Sequence, residues 1–282
     1  MNIGGYEIYC ITTSQFALDG GAMFGIIPKT LWEKQAQADE SNRISMVTRS
    51  MLLVGHGRII IIDTGIGDKW TEKFRSIYKI DSGIFNLETE LKKFGFSPLD
   101  ITDVLCTHLH FDHIGGNTKF VNGKSEPVFP HAVYWMQKEN FALANSPGQK
   151  DQGSFRPSDW SVLRKNNMIR IVNGKDKFLP NIDILLTYGH TTGMMHPIIR
   201  DNLKSIIYGA DLFPLAAHIP VPWVMAYDNL PVQSVKEKKK LLPELVKNET
   251  IVFFEHDPRI QAGTIGFDGR NYNLKNSVKI NE

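Results

Sequence analysis

The chain holds two cysteines in 282 residues, Cys10 and Cys106, which fits a reducing compartment rather than a disulfide-built fold. Cys106 falls inside an apolar, β-prone run and reads as an inert buried thiol. No apolar run approaches 18 residues, which excludes a transmembrane helix, so no membrane partner is expected. Residues 1–10 lack a charged start followed by an apolar stretch. They do not read as a signal peptide, and the expected location is cytoplasmic. Neither sign of charge dominates, since 32 Lys+Arg oppose 30 Asp+Glu for a net charge of +2. The two signs are mixed along the chain, which argues against nucleic acid as a partner. No internal repeat and no low-complexity tract is present. What is present is 42% apolar residues, enough to build a sizeable core, and a length within reach of one domain spanning 1–282.

One stretch stands apart: Thr107-His108-Leu109-His110-Phe111-Asp112-His113, followed by Gly115-Gly116. The run 101–106 before it is apolar and reads as a buried strand ending at Thr107. His108 and His110 are two apart, so an extended backbone points both imidazoles the same way. Asp112 and His113 follow after a turn and can aim at a neighbouring point. One short segment can thus supply ligands to two adjacent metal ions. Imidazole and carboxylate suit zinc and similar divalent ions. Without a metal, burying these groups together would strand several polar atoms at roughly 1 to 3 kcal/mol each.

Elsewhere, residues 3–12 read as a first strand. Residues 45–54 and 58–63 read as a hairpin about Gly55-His56-Gly57, in which His56 has no chemical role. The glycine-dense segment 19–25 predicts a turn with unusual backbone angles. It is either a surface loop or a wall near the metal mouth, to which Met23 and Phe24 lend apolar surface. Helices are predicted over 85–94, with Gly95 as the stop, and over 136–144. A strand is predicted over 128–134, and 145–161 reads as a long connection or rim. In the second half, strands over 182–186, 203–208 and 251–254 each lead to a histidine or aspartate. Ser234 and Glu237 form a capping box opening a helix, with Lys236, Lys238, Lys239 and Lys240 as its solvated face. Pro243 should kink or restart that helix.

H-x-H-x-D-H after an apolar strand resembles the signature of the metallo-β-lactamase superfamily. The resemblance implies an α/β fold: an αββα sandwich of two mixed β-sheets packed face to face, with helices on the outer faces. It also implies a two-metal site at one edge. The later ligands would be His190 in Tyr188-Gly189-His190-Thr191, Asp211 after Ile206-Ile207-Tyr208, and His256 in Glu255-His256-Asp257. The implied assignment puts His108, His110 and His190 on one divalent ion, Asp112, His113 and His256 on a second, and Asp211 between them. Both ions would be zinc. Asp63 would accept the spare N–H of a ligand imidazole; otherwise it is an exposed turn carboxylate.

Within the superfamily the chain is most similar to the quorum-quenching N-acyl-homoserine lactone lactonases. Residues 108–117 carry that likeness, as do the run 209–214, His218 and 222–228. The implied reaction is lactone ring opening by a metal-bridging hydroxide, with Asp112 relaying a proton to the leaving oxygen. Two positions depart from the branch: Pro214 stands where a substrate-contacting Tyr is usual, and Met194 where a His is usual. His218 or Tyr227 could replace the lost hydroxyl contact, although His218 reads equally well as a surface-loop residue. Met23, Phe24, Met194, Phe213, Trp223 and Met225 could line a groove for an acyl chain. The apolar pairs around 23–24 and 223–225 need cover, which predicts a homodimer. Phosphoester or organophosphate hydrolysis on the same metals is the alternative activity, and a non-catalytic metal scaffold a third reading.

Overall fold

The computed structural model describes residues 1–81, 86–174 and 179–280. Among the described residues two large sheets form, beside one small hairpin, and in each large sheet the strands lie side by side in chain order. The first has seven strands: Asn2–Ile3, Tyr6–Asp19, Arg43–Gly55, Arg58–Ile62, Asp103–Leu105, Val133–Gln137 and Ile169–Val172. The second has six: Ile182–Thr187, Met194–Arg200, Ser205–Tyr208, Ile251–Phe253, Ala262–Phe267 and Tyr272–Val278. Both are mixed, because long crossovers add parallel strands beside antiparallel hairpins. The hairpin about His56 and Gly57 forms with φ of 52° and 71°, the left-handed pair whose twist matches that of the strands.

Alternate side chains of the two sheets meet in one core. Tyr6, Ile8, Met51, Ile60 and Leu105 face Met195, Ile199, Ile207 and Phe253, all buried. The other side of the first sheet, with Ile11, Leu52, Ile61 and Val104, is covered by helices Leu87–Lys93, Lys138–Asn145 and Ser161–Lys165. Helix Pro231–Lys247 packs on the second sheet through Leu242 and Leu245. The layers are therefore those of the expected αββα sandwich.

Several local expectations need correction. The first strand is two pieces, Asn2–Ile3 and Tyr6–Asp19, because Gly4 and Gly5 turn left-handed at φ 62° and 79°. The strand expected over 128–134 is Val133–Gln137, since Pro130 has no N–H to give a ladder. The helix after it therefore starts at Lys138, capped by Gln137 Oε1 accepting from Asn140 N at 2.8 Å. The helix expected over 85–94 is Leu87–Lys93, capped by Asn86; Phe85 lies outside the described residues. A hairpin of Thr118–Val121 and Lys124–Pro127 about Asn122-Gly123 went unexpected.

Segment 19–25 is not an irregular turn. It is the short helix Gly20–Phe24, capped by Asp19, and only Gly25 is left-handed there. A Cβ on Gly20 would lie 2.4 Å from Trp32, so close packing is what requires glycine.

The capping box at Ser234 does not form. Pro231 opens the helix, Ser234 is buried within it, and Glu237 instead accepts from Tyr188 N and Gly189 N. Pro243 sits inside the helix without ending it. The carbonyl it leaves unpaired belongs to exposed Lys239, where water can serve. Lys238 is no part of a solvated face: it is fully buried, donating to the carbonyls of His218, Pro220 and Trp223.

The sandwich brings four strand ends to one edge. Residues 106–113 follow Asp103–Leu105, His190 follows Ile182–Thr187, Asp211 follows Ser205–Tyr208, and His256 follows Ile251–Phe253.

Candidate metal centre

The loop 107–114 leaves its strand extended at His110 (φ −72°, ψ 154°) and then coils into the short helix Phe111–Ile114. Gly115 and Gly116 let that helix press against the neighbouring turn. Added Cβ atoms there would lie 2.2 Å from the carbonyl oxygens of Ile66 and Thr64. Beneath the loop, Asp63 takes φ 53°, a region Asp tolerates. Its carboxylate accepts from Thr107 N at 2.7 Å, Thr107 Oγ1 at 2.6 Å and His113 Nδ1 at 2.9 Å. Asp63 is thus a buried partner of a ligand imidazole and not an exposed turn residue.

The seven proposed ligands converge. His108 Nε2 and His190 Nε2 each lie 3.1 Å from His110 Nδ1. Two nitrogens on a tetrahedral zinc at about 2.0–2.1 Å would sit about 3.3 Å apart. On the other side, His256 Nε2 lies 3.3 Å from His113 Nε2 and 3.8 Å from Asp112 Oδ2. Asp211 stands between the groups. Its Oδ2 is 3.1 Å from His190 Nε2, and its Oδ1 is 3.2 Å from His256 Nε2 and 3.5 Å from His113 Nε2. The residue before it, Ala210, is held at φ 40°, strain of order 1–3 kcal/mol of the kind found at functional sites.

Hydrogen bonds to the other ring nitrogens fix the tautomers. His190 Nδ1 donates to Asp228 Oδ1 at 3.0 Å, and His256 Nδ1 to the Val47 carbonyl at 2.9 Å. His108 Nδ1 pairs with Thr107 Oγ1 at 3.1 Å. The inward Nε2 atoms of these rings are then bare lone pairs facing one another, which repel unless a cation lies between them. This donor set fits divalent metal, in two groups: His108, His110, His190 and Asp211; and Asp112, His113 and His256. A third group, Asp63, His113 and Glu255, shares the one Nδ1 of His113. Two carboxylates there face one N–H, and burial pushes the Glu255 carboxyl up to about 7.

Without a metal, protons serve as the cations. Burial disfavours charge on His113, but Glu255, Asp211 and Asp112 outweigh it and hold its pKa well above the usual imidazole range. Burial is likewise outweighed at His190 by Asp211 and Asp228, and at His256 by Asp211, which raises His256 to about 9. His108 and His110 are pushed well down by burial and by the other imidazoles, so they stay neutral. Asp211 is held well below the carboxylate range: burial opposes its charge, but His190 and His113 prevail.

A cleft of about 260 Å³ opens directly onto His110, Asp112, His190, Asp211 and His256. Of the residues expected to contact substrate, Met23, Met225 and Tyr227 line it. Phe24, Met194, Phe213 and His218 are not among its lining residues and are buried elsewhere in the core. His218 Nε2 meets the Met23 carbonyl at 2.8 Å, and its ring stacks on Phe24. Burial lowers it to about 4, so it is a neutral packing residue and not a surface-loop one. Trp223 faces a separate groove beside Ala216 and Arg259. Met23, Phe24 and Met225 are covered within the chain, whereas Trp223 and Val224 stay half-buried. Pro214 is buried too, its carbonyl accepting from His256 N at 3.0 Å.

The sequence reading missed the walls Leu18, Met46, Tyr78 and Phe111, while Lys150, Asp151, Gly153 and Ser154 come from the connection it read as a possible rim. It also missed Asp228 and Glu255 as partners of ligand imidazoles. Glu255 and Phe111 adjoin ligands and could have been found that way; Asp228 and Tyr78 carry no local signal.

A family model and three known relatives bear on the site. The metallo-beta-lactamase superfamily model matches residues 46–256. An N-acyl homoserine lactonase of Bacillus sp is 26% identical over 176 residues, covering 61% of this chain and 62% of that one. The chain thus spans about three-fifths of the curated relatives it matches. Among solved structures, a probable metal-dependent hydrolase from Staphylococcus aureus superposes with a TM-score of 0.88 at 29% identity, over 99% of this chain and 100% of that one. AidC, a dizinc quorum-quenching lactonase, gives 0.82 at 21% identity, over 100% and 97% of the two chains.

Proposed function

The chain belongs to the metallo-β-lactamase superfamily, and from that membership we propose that it is a dinuclear zinc hydrolase opening the lactone ring of N-acyl-homoserine lactones. The observation that carries the reading is the position of Asp211, one oxygen toward each imidazole group, at the floor of an apolar-walled cleft. His108, His110 and His190 would hold one ion, Asp112, His113 and His256 the other, and Asp211 both. Bound there, two divalent ions supply a water deprotonated near neutral pH and stabilisation for oxyanion charge.

The protein's own groups do the rest. Met23, Met46, Phe111 and Met225 line the cleft and offer an acyl chain apolar contact, at about 0.8 kcal/mol for each methylene buried. Asp112 lines the same cleft and would pass a proton to the ring oxygen as it leaves. Tyr227 takes the place of the hydroxyl that Pro214 lacks. The residue is 40% exposed at the cleft, and its phenol is protonated at neutral pH and can donate a hydrogen bond; partial burial and nearby acidic groups push its pKa up. The relatives support the substrate class, as the Bacillus match is an N-acyl homoserine lactonase.

The test is kcat/KM for a long-chain N-acyl-homoserine lactone beside that for a paraoxon-type phosphotriester. The lactone should be turned over more efficiently. A tenfold preference for the phosphotriester would replace this reading with organophosphate hydrolysis.

A further inference from the structure

The connection 145–161 touches one ligand of the first metal group, His110, and the turn 227–229 that holds another, His190. Phe155 packs on the His110 ring, centroids 4.8 Å apart, and bridges its backbone. Five residues earlier, Lys150 Nζ donates to the carbonyl of Asp228 and, at 3.4 Å, to that of Tyr227. Asp151 Oδ2 accepts from Asn229 Nδ2 at 2.7 Å. Asp228 is the carboxylate that orients His190, and Asn229 N donates to the His190 carbonyl at 3.0 Å. Past Phe155 the segment is anchored: Arg156 lies 4.2 Å over the Trp70 ring, and buried Asp159 pairs with Lys69 at 3.1 Å. None of these hydrogen bonds or ion pairs reaches His113 or His256, which are held by Asp63, Glu255 and Val47.

We propose that Lys150 and Asp151 are positioning residues for the metal held by His108, His110 and His190, fastening the 227–229 turn so that Asp228 aims His190, and that retention of this metal is thereby set separately from its neighbour's. The inference rests on the two-metal reading above. Residues that orient a metal-ligating histidine govern affinity by roughly 10–100-fold when removed.

The test uses the full zinc-loaded chain. Zinc release to a chromogenic chelator is followed for the parent protein, Lys150→Ala, Asp151→Ala and the double variant, with Lys150→Arg as the conservative control. The parent should release two equivalents in two phases. In the alanine variants one phase should quicken, by roughly tenfold or more in the double variant, while the other holds its rate. Lys150→Arg should restore most of the parental rate, because a guanidinium also reaches carbonyl oxygens. The metal-free variants should keep the parental circular dichroism spectrum. Equal quickening of both phases, or of neither, overturns the assignment. A parent that binds fewer than two equivalents brings down the two-metal reading itself, and this inference with it.

Discussion

Asp211→Asn isolates the charge at the centre of the site. The amide keeps the shape of the carboxylate and one acceptor oxygen, but it loses the negative charge and turns an NH₂ toward one imidazole group. In the parent the two oxygens lie 3.1 Å from His190 Nε2 and 3.2 Å from His256 Nε2. A unit charge at that distance, with an effective dielectric of about 20, is worth about 5 kcal/mol. That corresponds to nearly four powers of ten, about 3.7, in the binding of a cation placed between them. Asp211 is 9% exposed, so solvent screens little of this. Elemental analysis after dialysis against metal-free buffer should find two zinc ions per parent chain and at most one in the variant. Lactonase activity should fall by at least a hundredfold, with the circular dichroism spectrum unchanged. Two retained ions with full activity would mean that another residue joins the metals, and the bridging assignment would be wrong.

Other outcomes follow from the same geometry. Lys238→Met leaves one buried and two half-buried carbonyls without their donor, at roughly 1–3 kcal/mol for the buried one and less for the others, so the melting temperature should drop by several degrees; an unchanged melt would refute the burial described. Lys69→Met strands the Asp159 carboxylate in the interior, where a broken buried pair costs about 3–5 kcal/mol, and urea denaturation should register that loss. Tyr227→Phe should lower kcat/KM for the lactone about tenfold while zinc content and melting temperature stay parental; loss of zinc would show a structural role instead. Apparent zinc affinity should rise with pH up to about 9, since the metal must displace a proton that Asp211 holds on His256 below that pH. A pH-independent affinity in competition titrations between pH 6 and 9 would contradict that protonation.

What could be read in advance was local. The strand before His108 and the hairpin about His56 announce themselves through apolar runs and glycine-bounded turns, whereas the layer order came with the resemblance that H-x-H-x-D-H carries. The unread parts are those that depend on distant chain. Lys238 sits in a run of lysines whose spacing says surface, yet three carbonyls of the loop 218–223 arrive to bury it. Phe24, Phe213 and Met194 are apolar neighbours of the site in sequence, but they turn into the core, and Tyr78 and Met46 come from other elements to take the wall. Two errors were avoidable. Asn122-Gly123 is a hairpin turn signal in its own right, and Pro231 marks a helix start better than Ser234 does.

The ligands are divided between the two sheets, and neither half of the chain has a complete set. His108, His110, Asp112 and His113 come with the first sheet; His190, Asp211 and His256 come with the second. Bound metal would therefore act as a clasp across the sandwich, linking parts of the chain that are far apart in sequence and must find each other late in folding. A chain cut between residues 174 and 179 would keep each sheet whole. Zinc should draw the two fragments into a stoichiometric complex at concentrations where, in the presence of chelator, they separate.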